Sequence, residues 1–158
     1  VANYFPTKTI INRGFGGSRL TDLNYYANDL LNYEPKQIII YCGENDFADD
    51  DKLKADVVVE RFKTFYQKVR QKFPKIEVDY ISIKYSPSRE KLWPQMKEAN
   101  TKIAKFMKKQ KNSEFIDITR VMNDANGQIR KELFVEDMLH MTPEGYKLWT
   151  SVMNPYMK

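Results

Sequence analysis

The chain has one cysteine, Cys42, and one histidine, His140, in 158 residues. A single thiol excludes an intrachain disulfide and any CxxC metal or redox pair. It lies in the apolar run Gln37-Ile38-Ile39-Ile40-Tyr41-Cys42 and reads as a small buried hydrophobe. One histidine and no cysteine cluster leave only carboxylates as metal ligands, none at motif spacing, so neither a metal nor a cofactor is expected. The six glycines spell neither GxGxxG nor GxxxxGK[ST], which removes the nucleotide-phosphate fingerprints. No GxSxG elbow occurs, and no stretch approaches the roughly 18 apolar residues of a membrane span. Repeats, low-complexity tracts and interdomain linkers are absent from the sequence. Compartment and oligomeric state stay open.

What is present is an ordinary globular balance, 42% hydrophobic and 30% charged, with ten tyrosines and nine phenylalanines to fill an interior. The length suits one domain over 1–158 with one core. Lysine and arginine number 26 against 21 acidic residues, a formal charge of +5. Lys102, Lys105, Lys108 and Lys109 stand away from the apolar stripe of their helix, so the excess reads as a solvated face and no nucleic-acid partner is expected.

Along the chain, Thr9-Ile10-Ile11-Asn12 predicts a short strand entering the turn Gly14-Phe15-Gly16-Gly17. A helix is expected from Ser18 or Thr21, carrying Leu20, Leu23, Ala27, Leu30 and Leu31 near helical spacing. Residues 37–42 predict a parallel strand covered on both faces, ended by Gly43-Glu44-Asn45-Asp46. Val58, Phe62, Phe65, Val69 and Phe73 mark an amphipathic helix stopped by Pro74. Residues 76–83 form the next predicted strand, before the polar loop Lys84–Arg89. A helix from about Glu90 to Gln110 carries Met96, Ala99, Ile103 and Phe106 on one face, with Pro94 confined to its first turn. Residues 115–118 predict a strand, Asn123–Gly127 a turn, and Thr142 with Pro143 the start of a last helix. Strand and helix alternate four times, the pattern of an α/β fold with helices on both faces of a parallel sheet.

In such sheets ligands bind beyond the carboxyl ends of the strands, where three polar segments fall: Gly14–Ser18, Gly43–Asp46 and Asp137–His140. Any imidazole base must be His140. Asp137, three residues upstream, has the reach to accept the Nδ1 proton and leave Nε2 free toward a nucleophile. The glycines at 14, 16 and 17 mark a turn, or a backbone N–H aimed into a site. Asn45 is either a turn cap or an amide donor to a developing oxyanion.

Together Asn12-Arg13-Gly14-Phe15-Gly16-Gly17-Ser18, Gly43-Glu44-Asn45-Asp46 and Asp137-Met138-Leu139-His140, followed by Pro143-Glu144-Gly145-Tyr146, resemble three sequence blocks of the SGNH/GDSL hydrolases. That family comprises esterases, lipases and carbohydrate deacetylases. The resemblance runs from about residue 4 to the C-terminus. It implies a three-layer α/β/α, flavodoxin-like fold and hydrolysis of a small-molecule ester through a serine acyl-enzyme. Carried over, Gly17 and Asn45 are oxyanion-hole donors, His140 is the general base and Asp137 the acid that orients it. Residues 82–89 resemble a loop of one bacterial subgroup, which usually has Pro where Tyr85 stands. Within it Arg89 is read as binding substrate, pairing with a carboxylate, or doing neither.

The family's nucleophilic serine block is missing. In the family it ends the first, central strand, so here the serine is expected upstream of Val1. Ser18 follows the oxyanion glycine, and Ser82, Ser86 and Ser88 belong to another loop. The 158 residues are therefore read as an N-terminally incomplete domain, inactive in isolation, since leaving out a central strand exposes backbone groups and apolar side chains. The competing reading is a relative that has lost its nucleophile and binds carbohydrate or acyl groups.

Overall fold

The computed structural model describes residues 2–158. Three strands, β1 (Gln37–Ile40), β2 (Glu77–Ile81) and β3 (Ser113–Ile116), form a parallel sheet in the order β1-β2-β3. Ile38 lies beside Val78, and Tyr80 beside Phe115. Alternate residues along a strand face opposite sides, and each set contains buried apolar residues, so the sheet carries a core on each face. Val78 and Tyr80 join one core, whereas Ile81 and Ile116 join the other.

The first face is covered by α1 (Leu20–Tyr25), α2 (Ala27–Leu30), α4 (Ala55–Lys72) and α5 (Trp93–Met107). In α4 the residues Val58, Phe62, Phe65 and Val69 recur every three or four positions and are buried as one stripe. The second face is covered by α6 (Pro143–Met153), whose Trp149 packs with Ile116, Ile118 and Met122. Thr142 caps α6 by accepting the Gly145 N–H, with Pro143 at the first helical position. The result is the three-layer α/β/α arrangement that the alternating pattern predicts.

Local departures have identifiable causes. Thr9–Asn12 is not a strand: it pairs with no neighbour among the described residues, and Ile11 is 59% exposed. An apolar pattern proposes a strand, but only a hydrogen-bonded partner makes one. The expected helix after Ser18 breaks at Tyr26 into α1 and α2. The helix expected from Glu90 begins as a 3-10 turn over Pro87–Leu92, and α5 starts at Trp93 with Pro94 in its first turn. Residues 44–46, read as a strand terminator, open a further short helix, α3 (Glu44–Asp49).

Candidate active site

The carboxyl end of β1 leads through Gly43 into α3. Gly43 has φ +121°, and a Cβ there would lie 3.1 Å from Ile83 Cδ1 and 3.2 Å from the Tyr80 hydroxyl. Only glycine combines that backbone angle with that closeness. The turn buries Glu44 and Asp46 and leaves Asn45 half-buried between them.

Asp46 ties this turn to the preceding loop. One carboxylate oxygen accepts the Leu20 N–H at 2.9 Å, at the start of α1, and the other accepts from Arg61 at 2.7 Å. The Phe15–Ser18 turn is thus anchored at its exit. Within it Gly17 has φ +73° with nothing within 4 Å of a would-be Cβ, so the requirement there is purely conformational. Asn45 Nδ2 donates to the Ser18 carbonyl at 3.1 Å, bringing the amide beside the Gly17 turn.

The loop after β2 supplies the opposite wall. Glu44 is the hub: Lys84 and the Tyr41 hydroxyl donate to one oxygen, Ser86 donates to the other at 3.0 Å, and Arg89 Nη1 forms an ion pair with that same oxygen at 3.0 Å. Burial alone would raise the Glu44 carboxyl, yet Lys84, Arg89 and Tyr41 hold it below the usual carboxylate range. Burial lowers the Lys84 ammonium, and Glu44 offsets part of that. Arg89 Nη2 also donates to Asn45 Oδ1 at 3.0 Å. Of the roles considered for Arg89, pairing with a carboxylate is the contact observed. Sequence reasoning missed Glu44, Lys84 and Ser86 as a set; the available signal was a charged residue on either side of apolar strands.

The third segment folds around Asp137. One of its oxygens accepts the N–H groups of Leu139 and His140 at 2.8 and 2.9 Å, and the other meets His140 Nδ1 at 2.6 Å. Met138, at φ +53°, provides the left-handed step that lets the chain wrap the carboxylate. The His140 contact, then the two backbone donors, pull the Asp137 carboxyl down to about 2. The imidazole is largely exposed. The loop is braced by Val135 N–H on the His140 carbonyl at 2.9 Å and by Ser88 N–H on the Met138 carbonyl at 3.1 Å.

Successive contacts therefore join all three segments: Ser18 to Asn45, Asn45 to Arg89, and the adjacent Ser88 to Met138. They gather beyond the carboxyl ends of β1 and β2, on one rim of the sheet. Chemically the rim offers an imidazole whose Nδ1 is engaged by a carboxylate, and, on the loop that Arg89 contacts, an amide that gives one N–H to Ser18. Cys42 is buried with its thiol against the same Ser18 carbonyl at 3.7 Å, and burial raises that thiol to about 12, so it stays protonated.

The GDSL-like Lipase/Acylhydrolase family model matches residues 1–148. No curated protein matches the sequence. Among solved structures, one from Streptococcus pneumonia, provisionally named a platelet activating factor, is 23% identical with a TM-score of 0.86, covering 99% of this chain and 77% of that one. A GDSL-like lipase from Bacteroides thetaiotaomicron is 20% identical with a TM-score of 0.83, covering 98% and 78%. A carbohydrate esterase family 3 protein from Talaromyces cellulolyticus is 17% identical with a TM-score of 0.74, covering 96% and 74%. At these identities the likeness establishes the fold.

Proposed function

Because the chain belongs to the GDSL-like lipase/acylhydrolase family, we propose that it hydrolyses carboxylic esters by two-step acyl transfer at the rim shared by Gly17, Asn45 and His140. The observation that carries this reading is the 2.6 Å contact between His140 Nδ1 and Asp137, whose carboxylate is itself fixed by two backbone donors. An imidazole so held keeps its proton on Nδ1 and presents Nε2 as a base.

The nucleophile is proposed to be a serine upstream of Val1, and residues 1–158 alone are proposed to be inactive. Two nearby serines are otherwise engaged: Ser82 Oγ accepts the Ile118 N–H, Ser86 Oγ donates to Glu44, and both are buried. His140 takes the serine proton as the oxygen attacks the ester carbonyl. Gly17 N–H, Asn45 Nδ2–H and the serine's own N–H bind the oxyanion. Collapse expels the alcohol, which leaves with the proton from His140, and the acyl group stays on the serine. Water, deprotonated by His140, then releases the acid and restores the serine.

Small acyl esters or acetylated carbohydrates are the proposed substrates. An acetyl esterase and carbohydrate esterases stand among the structural neighbours. In the complete gene product, His140→Ala should lower turnover of 4-nitrophenyl acetate by about 10³-fold or more. Turnover close to that of the unsubstituted protein would end the proposal.

A further inference from the structure

We infer that Arg89 is a positioning residue for the Asn45 amide rather than a substrate ligand; the inference rests on the reading of Asn45 as an oxyanion donor. A carboxamide can sit in two orientations related by exchanging its oxygen and nitrogen. Here the Arg89 guanidinium, which only donates, meets Oδ1 at 3.0 Å, and the Ser18 carbonyl, which only accepts, meets Nδ2 at 3.1 Å. The two partners select the same orientation. One Nδ2 hydrogen is spent on Ser18, and the other remains for a negative oxygen.

The guanidinium is placed from behind. Its Nη1 pairs with Glu44 at 3.0 Å, one residue before Asn45, so a single planar group spans consecutive residues of the chain. Glu44 has no slack, because Tyr41, Lys84 and Ser86 occupy its remaining acceptor positions. Only 17% of the Arg89 side chain is exposed, and that of Glu44 is 7% exposed. In so dry a setting a guanidinium held by an ion pair at one nitrogen and a charge-assisted hydrogen bond at the other is stiff. A cation on Oδ1 also polarises the amide and strengthens Nδ2–H as a donor. Lysine supplies one point charge and no fork, so Arg89→Lys should keep Glu44 neutralised and release Asn45.

The test is a double-mutant cycle in the complete gene product with 4-nitrophenyl acetate, comparing Arg89→Lys, Arg89→Met, Asn45→Ala and the combination of the last two. Each Arg89 variant should lower kcat about tenfold to a hundredfold, the worth of one charge-assisted hydrogen bond, with KM nearly constant. In the Asn45→Ala background, Arg89→Met should change kcat by less than about threefold. A rise in KM at constant kcat would make Arg89 a substrate ligand and overturn the inference. So would an undiminished kcat loss in the Asn45→Ala background. Unchanged kcat in Asn45→Ala alone would instead remove the reading of Asn45, and the inference with it.

A second measurement does not depend on turnover. The side-chain ¹⁵N–¹H₂ pair of Asn45, assigned by its loss in Asn45→Ala, should shift and exchange faster with water in Arg89→Lys while the far-ultraviolet dichroism stays unchanged. An unmoved pair would overturn the inference even if no ester were hydrolysed.

Discussion

Gly43 sets the path from β1 into the site, and replacing it by alanine tests the packing argument quantitatively. Its φ of +121° is a region that L-residues rarely enter, and holding one there costs about 1–3 kcal/mol. The new methyl would also stand 3.1 Å from Ile83 Cδ1, 3.2 Å from the Tyr80 hydroxyl and 3.4 Å from Val58 Cγ1. Tyr80 has little room to yield, since it is fully buried and its hydroxyl donates to the Cys42 carbonyl. Overpacking of this kind adds about 1–3 kcal/mol. The sum, about 2–6 kcal/mol, corresponds to a fall in Tm of about 5–20 °C for a domain of this size. Gly17→Ala is the internal control: φ is again positive, but nothing lies within 4 Å, so only a backbone cost of about 1–2 kcal/mol applies. Calorimetric melting of both variants decides the matter. If Gly43→Ala melts within about 2 °C of the unsubstituted protein, or no lower than Gly17→Ala, the steric account of the turn is wrong.

Asp137→Asn leaves an oxygen to accept the two backbone N–H groups but turns an NH₂ toward His140 Nδ1, forcing the proton onto Nε2. Ester turnover should fall by about 10²–10⁴-fold with melting little changed, and a loss below about threefold would refute the tautomer argument. Asp79 is fully buried in β2, and burial raises its carboxyl to about 6, above the value near 4 of an unfolded chain. The unfolded chain therefore releases this proton first, so stability falls as pH rises from about 4 to about 6 and the loss persists above that. Urea unfolding of Asp79→Asn should show a relative gain near pH 7.5 that is absent near pH 4, and equal differences at both would contradict it.

The residues that pack were legible because burial imposes a period on the sequence. Val58, Phe62, Phe65 and Val69 declared α4, and the unbroken Gln37–Cys42 run declared a strand covered on both faces. Thr142 and Pro143 declared the start of α6. Asp137 and His140 were legible as a pair since three residues of chain fix their separation, and the structure holds them at 2.6 Å. Thr9–Asn12 misled, because a short apolar pattern carries no information about whether a partner strand lies alongside.

The sequence by itself determined the α/β class, the two-sided burial of the sheet and the Asp137–His140 contact, all consequences of local period or short chain separation. Only the tertiary structure decided that Glu44 would gather Tyr41, Lys84, Ser86 and Arg89, and that Arg89 would reach Asn45. Arg89 and Asn45 are separated by 44 residues, and a charged side chain read alone does not disclose whether solvent or a buried counter-charge will satisfy it. That choice is made where the loops after β1 and β2 pack together and exclude water, so that the charges are satisfied by protein groups rather than by solvent.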